Sequence, residues 1–189
     1  ALLCMLSVTA VRADDLKDGR AALAANRLDD AIASFEKAAS QGSADGRAGV
    51  GLVWMRRHDD VKARDAFETA IKMDGNVAMS YYGLGEIERR AGQYADAVEH
   101  YKRATELDRK FPDALMGYAD ALAQLKRYDE ASALLQPGLN WGKVKPRILI
   151  ALGNVEMARD SLRDAGIYFT QAQQEAPDDP QTNRALGDF

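Results

Sequence analysis

Cysteine is almost missing from this sequence. Cys4 is the one thiol in 189 residues, so an internal disulfide is excluded. Histidine is nearly as scarce. His58 and His100 stand alone, and two imidazoles with one distant thiol do not make an ordinary zinc site. No stretch reaches the ~18 consecutive apolar residues of a membrane span, so no integral membrane span is expected. Neither sign of charge dominates: 25 Lys plus Arg face 29 Asp plus Glu, a net charge of −4. So mild a balance gives no global field for a phosphate backbone, and nucleic acid is not an expected partner. Aromatics are 7% of the chain. What is plentiful is alanine, about one residue in six, the strongest helix former. The composition is that of an ordinary soluble chain with an all-α tilt.

Leu2–Val11 reads LLCMLSVTAV. Ten uncharged, mainly apolar residues are too short to cross a bilayer but suit the core of a secretory signal peptide. Val11 and Ala13 offer the short side chains a signal peptidase reads, so residues 1–13 are expected to be a leader remnant and Asp14 the mature start. The protein is then exported, to a periplasm or beyond. The alternative is an extra helix packed on the first repeat. A mature chain without Cys4 would suit an oxidising compartment.

The remainder repeats. Gly19, Gly51, Gly85, Ala119, Gly153 and Gly187 recur at steps of 32, 34, 34, 34 and 34. Ala31, Ala63, Ala97, Ala131 and Ala165 keep the same steps, as do Phe35, Phe67, Tyr101, Leu135 and Phe169. So do Ala38, Ala70, Ala104, Gly138 and Ala172. Within one period Ala97, Tyr101 and Ala104 fall at i, i+4 and i+7, a single helical face. Tyr81, Leu84 and Gly85 sit on an earlier helix, and Ala91-Gly92-Gln93 breaks the two apart. Each period is therefore helix, tight turn, helix. The small residues let two backbones approach, and the aromatic fills the wedge towards the next pair. One pair cannot bury its apolar face alone, so pairs must stack.

Tyr81-x-x-Leu84-Gly85, Val50-Gly51-x-x-Trp54, the Ala31/Phe35, Ala63/Phe67, Ala97/Tyr101 and Ala165/Phe169 pairs, and Pro177 resemble the tetratricopeptide repeat signature, whose period is 34. The resemblance covers about residues 14–189. It implies an all-α, right-handed superhelical solenoid of antiparallel helix pairs, about five and a half repeats long. The expected limits are 14–43, 44–77, 78–111, 112–145 and 146–179, with a partial repeat at 180–189. The partial repeat stops in mid-helix, which reads either as a cap or as a piece of a longer array. Pro137 should end or kink the second helix of the fourth repeat near Leu135-Gln136, because proline lacks the donor and clashes with the preceding turn. Residues 137–142 then become an irregular hinge. Trp141 either packs in the core, at the slot of Met73 and Leu107, or is offered to a partner.

Catalytic, metal and cofactor chemistry is not expected. His58 and His100 read as solvated surface residues. The pairs Asp14-Asp15, Asp29-Asp30, Asp59-Asp60 and Asp178-Asp179 read as helix caps, where a carboxylate meets free N–H groups. No loop alternates oxygen ligands for calcium.

The resemblance implies that the first helix of each pair lines a concave groove for a peptide or partner helix. Helical phase assigns it Leu52, Met55 and Arg56 from the second repeat. The third repeat gives Met79, Tyr82, Glu86, Arg89 and Arg90. Asp113, Met116, Asp120 and Gln124 come from the fourth, and Arg147, Ile150, Asn154 and Met157 from the fifth. Methionine suits surfaces that fit varied apolar partners. The Lys/Asn carboxylate clamp of chaperone-binding members has no counterpart, because the matching positions hold Leu16, Arg20, Gly49, Met79 and Gly83. The implied role is a non-enzymatic protein–protein interaction scaffold in bacterial envelope or secretion assembly. The alternatives are a recruiting module of a larger enzyme and a self-associating array, joined through the partial sixth repeat.

Overall fold

A computed structural model describes residues 14–189, so the apolar segment Leu2–Val11 and its expected cleavage point lie outside the described residues. Helix α1 covers residues 14–24. It is followed by α2 (Leu28–Ser40), α3 (Ala44–Arg56), α4 (Asp60–Met73), α5 (Ala78–Arg90) and α6 (Tyr94–Leu107). Then come α7 (Pro112–Gln124), α8 (Tyr128–Leu135), α9 (Lys145–Ala158), α10 (Leu162–Glu175) and α11 (Pro180–Asp188). Among the described residues there is no β-strand. The chain is all-α, with consecutive helices packed in pairs. It divides into two compact units, residues up to Ile87 and residues from Glu88 onward.

In the first unit, α2 packs on α3 and α3 on α4. Phe35 and Phe67, 2% and 0% exposed, are its largest buried side chains. Each ring lies between two glycines. Around Phe35, a Cβ placed on Gly19 of α1 would fall 2.6 Å from the ring, and one on Gly49 of α3 2.4 Å. Around Phe67 the corresponding distances are 2.6 Å from Gly51 of α3 and 2.2 Å from Gly83 of α5. Real Cβ atoms do not come so close, so these four positions admit only glycine unless something moves. Gly51 and Gly19 belong to the ladder read from the sequence. Gly49 and Gly83 form a second one, which meets the aromatic of the preceding pair. The alanines at 31, 38, 63 and 70 are fully buried.

The second unit repeats the scheme. Tyr101 is buried against Gly117 of α7, and Phe169 against Gly153 of α9. The Phe169 ring also meets Phe189 with centroids 5.5 Å apart. Leu135, which stands in the aromatic ladder, is 0% exposed. Here α9 packs on both α8 and α10, and α11 covers α10.

Each helix pair turns in the same way. The residues Asn26, His58, Gly92, Lys126 and Asp160 all adopt positive φ, between 56° and 75°. Their spacing is again 32, 34, 34 and 34. Beside each, a backbone N–H reaches the carbonyl five residues back: Arg27 to Ala22, Asp59 to Trp54, Gln93 to Glu88, Arg127 to Leu122 and Ser161 to Glu156. The left-handed residue itself donates to the carbonyl three back, as Gly92 does to Arg89. This is the Schellman ending, which satisfies carbonyls that the helix leaves free. His58 is thus a turn residue.

Helix starts depart from the sequence reading. Asp59 accepts the Lys62 N–H at 3.0 Å, and Asp179 the Thr182 N–H at 2.9 Å, so these two do cap. The Lys62 side chain and N–H hold the Asp59 carboxyl below its ordinary range. The Thr182 N–H and then its hydroxyl do the same for Asp179. Asp29 and Asp30 do not cap α2, whose N-cap is Arg27. Asp30 instead pairs with Arg27 at 2.8 Å, and Asp29 with Arg57 across the turn of the next pair. Asp15 is buried rather than capping. It accepts from Lys37 at 2.7 Å and Gln41 at 3.2 Å, tying α1 to the end of α2, and the pairing raises the Lys37 pKa.

The fourth pair breaks where Pro137 predicts. Helix α8 has 8 residues where α4 and α6 have 14. The expected irregular hinge is instead two 3₁₀ turns, Gln136–Asn140 and Gly142–Val144. A proline is accommodated at the start of such a turn because it needs no donor there. Gly138 is buried, and a Cβ there would lie 3.0 Å from Ile148. The shared slot of Met73, Leu107 and Trp141 is not core. Met73 is 44% exposed, and Leu107 and Trp141 are half-buried.

The glycine contact around Phe67 can be measured. Alanine is about 1 kcal/mol better than glycine in a helix interior. Even so, Gly83→Ala should destabilise the protein by about 1–3 kcal/mol, because its Cβ drives into the ring. Gly75→Ala, whose Cβ meets nothing nearer than 4.0 Å, should stay within about 0.5 kcal/mol of the parent. Urea denaturation of both variants decides it. A Gly83→Ala protein as stable as the parent would remove the close approach.

The left-handed turns give the opposite sign. Lys126 has φ 62° and is exposed. Removing its Cβ relieves the steric cost of that conformation, partly offset by the added freedom of glycine when unfolded. Lys126→Gly should therefore raise stability by about 0.5–1 kcal/mol, read as a higher denaturation midpoint.

Candidate partner-binding site

The first helices of the pairs carry the sixteen residues that helical phase assigned to a binding face, and none of the sixteen is fully buried. In the first unit, Leu52, Met55 and Met79 are half-buried, packed at their inner ends on the cluster of Phe67, Leu84 and Ile87. Each keeps part of its surface exposed. Tyr82 and Glu86 are half-buried as well, and Arg56 is exposed. Trp54, one residue before Met55, is held by cations: Lys62 lies 4.2 Å and Arg57 5.1 Å from its ring. Such contacts are worth about 0.5–1 kcal/mol at exposed sites and lock the ring.

In the second unit, Met116 and Ile150 are half-buried, and Asn154 and Met157 exposed. The acidic members do not stand alone. Asp120 meets Arg89 at 3.4 Å, and Asp113 pairs with Arg147, its counterpart on the next first helix. Arg–Asp neutralisation leaves this face with apolar and amide surface between paired charges. Arg90 is exposed at the end of α5. Of the three arginines, Arg89 meets Asp120 and is half-buried, whereas Arg56 and Arg90 are exposed.

Three buried carboxylates escaped the sequence reading: Asp15, Glu88 and Glu156, each less than 9% exposed. Glu88 meets His100, whose Nδ1 lies 2.7 Å from Glu88 Oε2. His100 is half-buried, so the expectation of a solvated surface residue is corrected. Glu156 accepts from Ser132 at 3.3 Å and lies 3.8 Å from Arg159. A buried charge needs such partners. The signal was present: Ala22, Trp54, Glu88, Leu122 and Glu156 follow the repeat steps, so both glutamates stand where other repeats place apolar side chains.

A separate cleft of about 340 Å³ is lined by Glu36, Ala39 and Ser40 of α2, Arg47 of α3, and Thr69 and Met73 of α4. Among the described residues no group of three or more His, Cys, Asp or Glu is arranged to hold a metal ion. No described helix is long and apolar enough to cross a membrane.

No curated relative matches the sequence. Solved structures do match. TTC0263, a thermophilic TPR protein of Thermus thermophilus, is 19% identical over 94% of this chain and 97% of that one, with TM-score 0.75. PilF of Pseudomonas aeruginosa is 16% identical over 95% and 82%, with TM-score 0.76. YrrB, a TPR protein with an unusual peptide-binding site, is 21% identical over 90% and 89%, with TM-score 0.66. At such identities these likenesses speak for the fold. Family models described as tetratricopeptide repeat match residues 16–78 and 62–110, and residues 88–154. With the glycine-flanked aromatics and the five identical turns, these matches mean that the chain belongs to the tetratricopeptide repeat family.

Proposed function

We propose that this protein is a non-enzymatic interaction scaffold that holds a peptide or partner helix on its first-helix faces. The family fold supports a role in protein–protein interaction. The observation that carries the finer reading is the half-exposure of large flexible side chains along these helices: Leu52, Met55, Met79 and Tyr82 in the first unit, Met116 and Ile150 in the second. Leu52, Met55 and Met79 pack against the core, and all six keep exposed area for contact. YrrB, with its unusual peptide-binding site, has the same fold. An amphipathic segment meets such a face with its apolar side. Its acidic residues would be drawn by Arg56 and Arg90.

Export is a second part of the proposal. It rests on the apolar run of Leu2–Val11 and the short residues at Val11 and Ala13, and it places the scaffold in envelope or secretion assembly.

Binding energy concentrates in a few desolvated contacts. With a partner captured from the envelope fraction, Tyr82→Ala should weaken binding by about 2 kcal/mol or more. Arg90→Ala should mainly slow association, most visibly at low salt. Surface plasmon resonance reads both. Unchanged affinity for Tyr82→Ala, together with loss of binding on a second-helix substitution such as Glu99→Ala, would defeat the first-helix reading.

For export, the chain expressed with a restored basic start should be recovered outside the cytoplasm beginning at Asp14. N-terminal sequencing that finds Leu2–Val11 retained in the soluble protein would reject it.

A further inference from the structure

The loops that join one helix pair to the next are unlike one another in charge. In the first unit, the loop after α4 reads Asp74-Gly75-Asn76, closed by the Asn76 N–H on the Asp74 carboxylate at 2.9 Å. In the second unit, the loop after α6 carries Arg109 and Lys110, and the one after α8 carries Lys143, all exposed. Arg109 and Lys143 stand 34 residues apart, in the same register. The pair Arg147–Asp113, also 34 apart, shows that equivalent positions of these two repeats lie side by side. Leu107 and Trp141 share another register position, and both are half-exposed beside the cations. Asp108, which precedes Arg109 in the same loop, accepts the Lys110 N–H at 2.9 Å. Lys145, further along, is taken by Glu175.

We propose that this loop edge is a second docking surface, separate from the first-helix face, for an acidic segment of a protein partner. Arg109, Lys110 and Lys143 supply charge complementarity, and Leu107 and Trp141 supply apolar area for one or two aliphatic or aromatic residues among the acids. The break at Pro137 serves this surface, because it ends α8 early and puts Trp141 between two 3₁₀ turns. A flat anionic bilayer fits less well. The next loop along this edge carries Asp178 and Asp179, which a membrane would meet together with Lys143. A narrow chain can cross the basic loops and leave the acidic one alone.

The test uses the full chain with Trp54→Phe, so that Trp141 is the remaining tryptophan. The probe is a fluorescein-labelled peptide of ten Asp and Glu residues with a central Leu. Binding should shift Trp141 emission to the blue and weaken steeply with added salt. Arg109→Glu with Lys143→Glu should lower affinity about tenfold or more, with melting temperature and helical circular dichroism unchanged. If that double variant does not fold, Lys143→Ala alone should lower affinity about threefold. Retained affinity in a folded charge-reversal variant overturns the proposal. So does loss of the peptide in Tyr82→Ala, which would move it to the first-helix face. Binding to phosphatidylglycerol vesicles with none to the peptide overturns it in favour of a membrane.

Discussion

Phe67 touches two helices at points where neither has a side chain. Gly51 and Gly83 leave bare backbone on either side of the ring, and a methyl group at either would overlap it. Dispersion between a flat ring and a backbone at this range is collectively large, and burial of an aromatic adds its full apolar area. The same contact joins a helix to its own partner and to the following pair. Phe35 repeats it in the first unit, and Tyr101 and Phe169 each show one half of it in the second. Stacking is therefore written into single side chains, and the repeat length cannot drift without pulling a ring off its glycines.

The left-handed turns serve that constraint. A first helix that ended one residue later would rotate its partner by about 100° and take the aromatic off the seam. The Schellman bonds at Asn26, His58, Gly92, Lys126 and Asp160 fix the ending. Only the third repeat places a glycine there. The others hold a side chain in a conformation that disfavours it, so packing of the pair must supply what the turn residue loses.

Ladders of small and aromatic residues made the helix pairs, their order and the interruption at Pro137 legible in the sequence. These are periodic features, and period is what a sequence displays. The misses are contacts between different helices. Asp15 next to Asp14 looks like a helix start, but its partners Lys37 and Gln41 come from the far end of α2. His100 looks polar and exposed, yet Glu88 waits one helix away. Gly49 and Gly83 were seen, but their role depends on a ring from the preceding pair. For the proposed binding face, phase assigned a side of each first helix. It did not tell that Asp113 and Asp120 are matched by Arg147 and Arg89, because those pairings depend on how neighbouring helices are set.

Those pairings bear on what the proposed binding face would recognise. In the proposed mode of binding, an unpaired Asp113 and Asp120 would repel the acidic residues of a bound segment. Joined to arginines, they would leave short-range contact to decide affinity in that mode. Half-exposed ion pairs contribute little stability by themselves, at most about 1 kcal/mol each. Their value lies in removing a charge conflict at modest cost in solvation. Met116 and Ile150 can then act as apolar contacts between neutralised neighbours. A methionine flanked by free carboxylates would meet a ligand only after those carboxylates were desolvated. Flanked by ion pairs whose partners are already fixed, it meets the ligand with less water to displace, so the same side chain contributes more to binding.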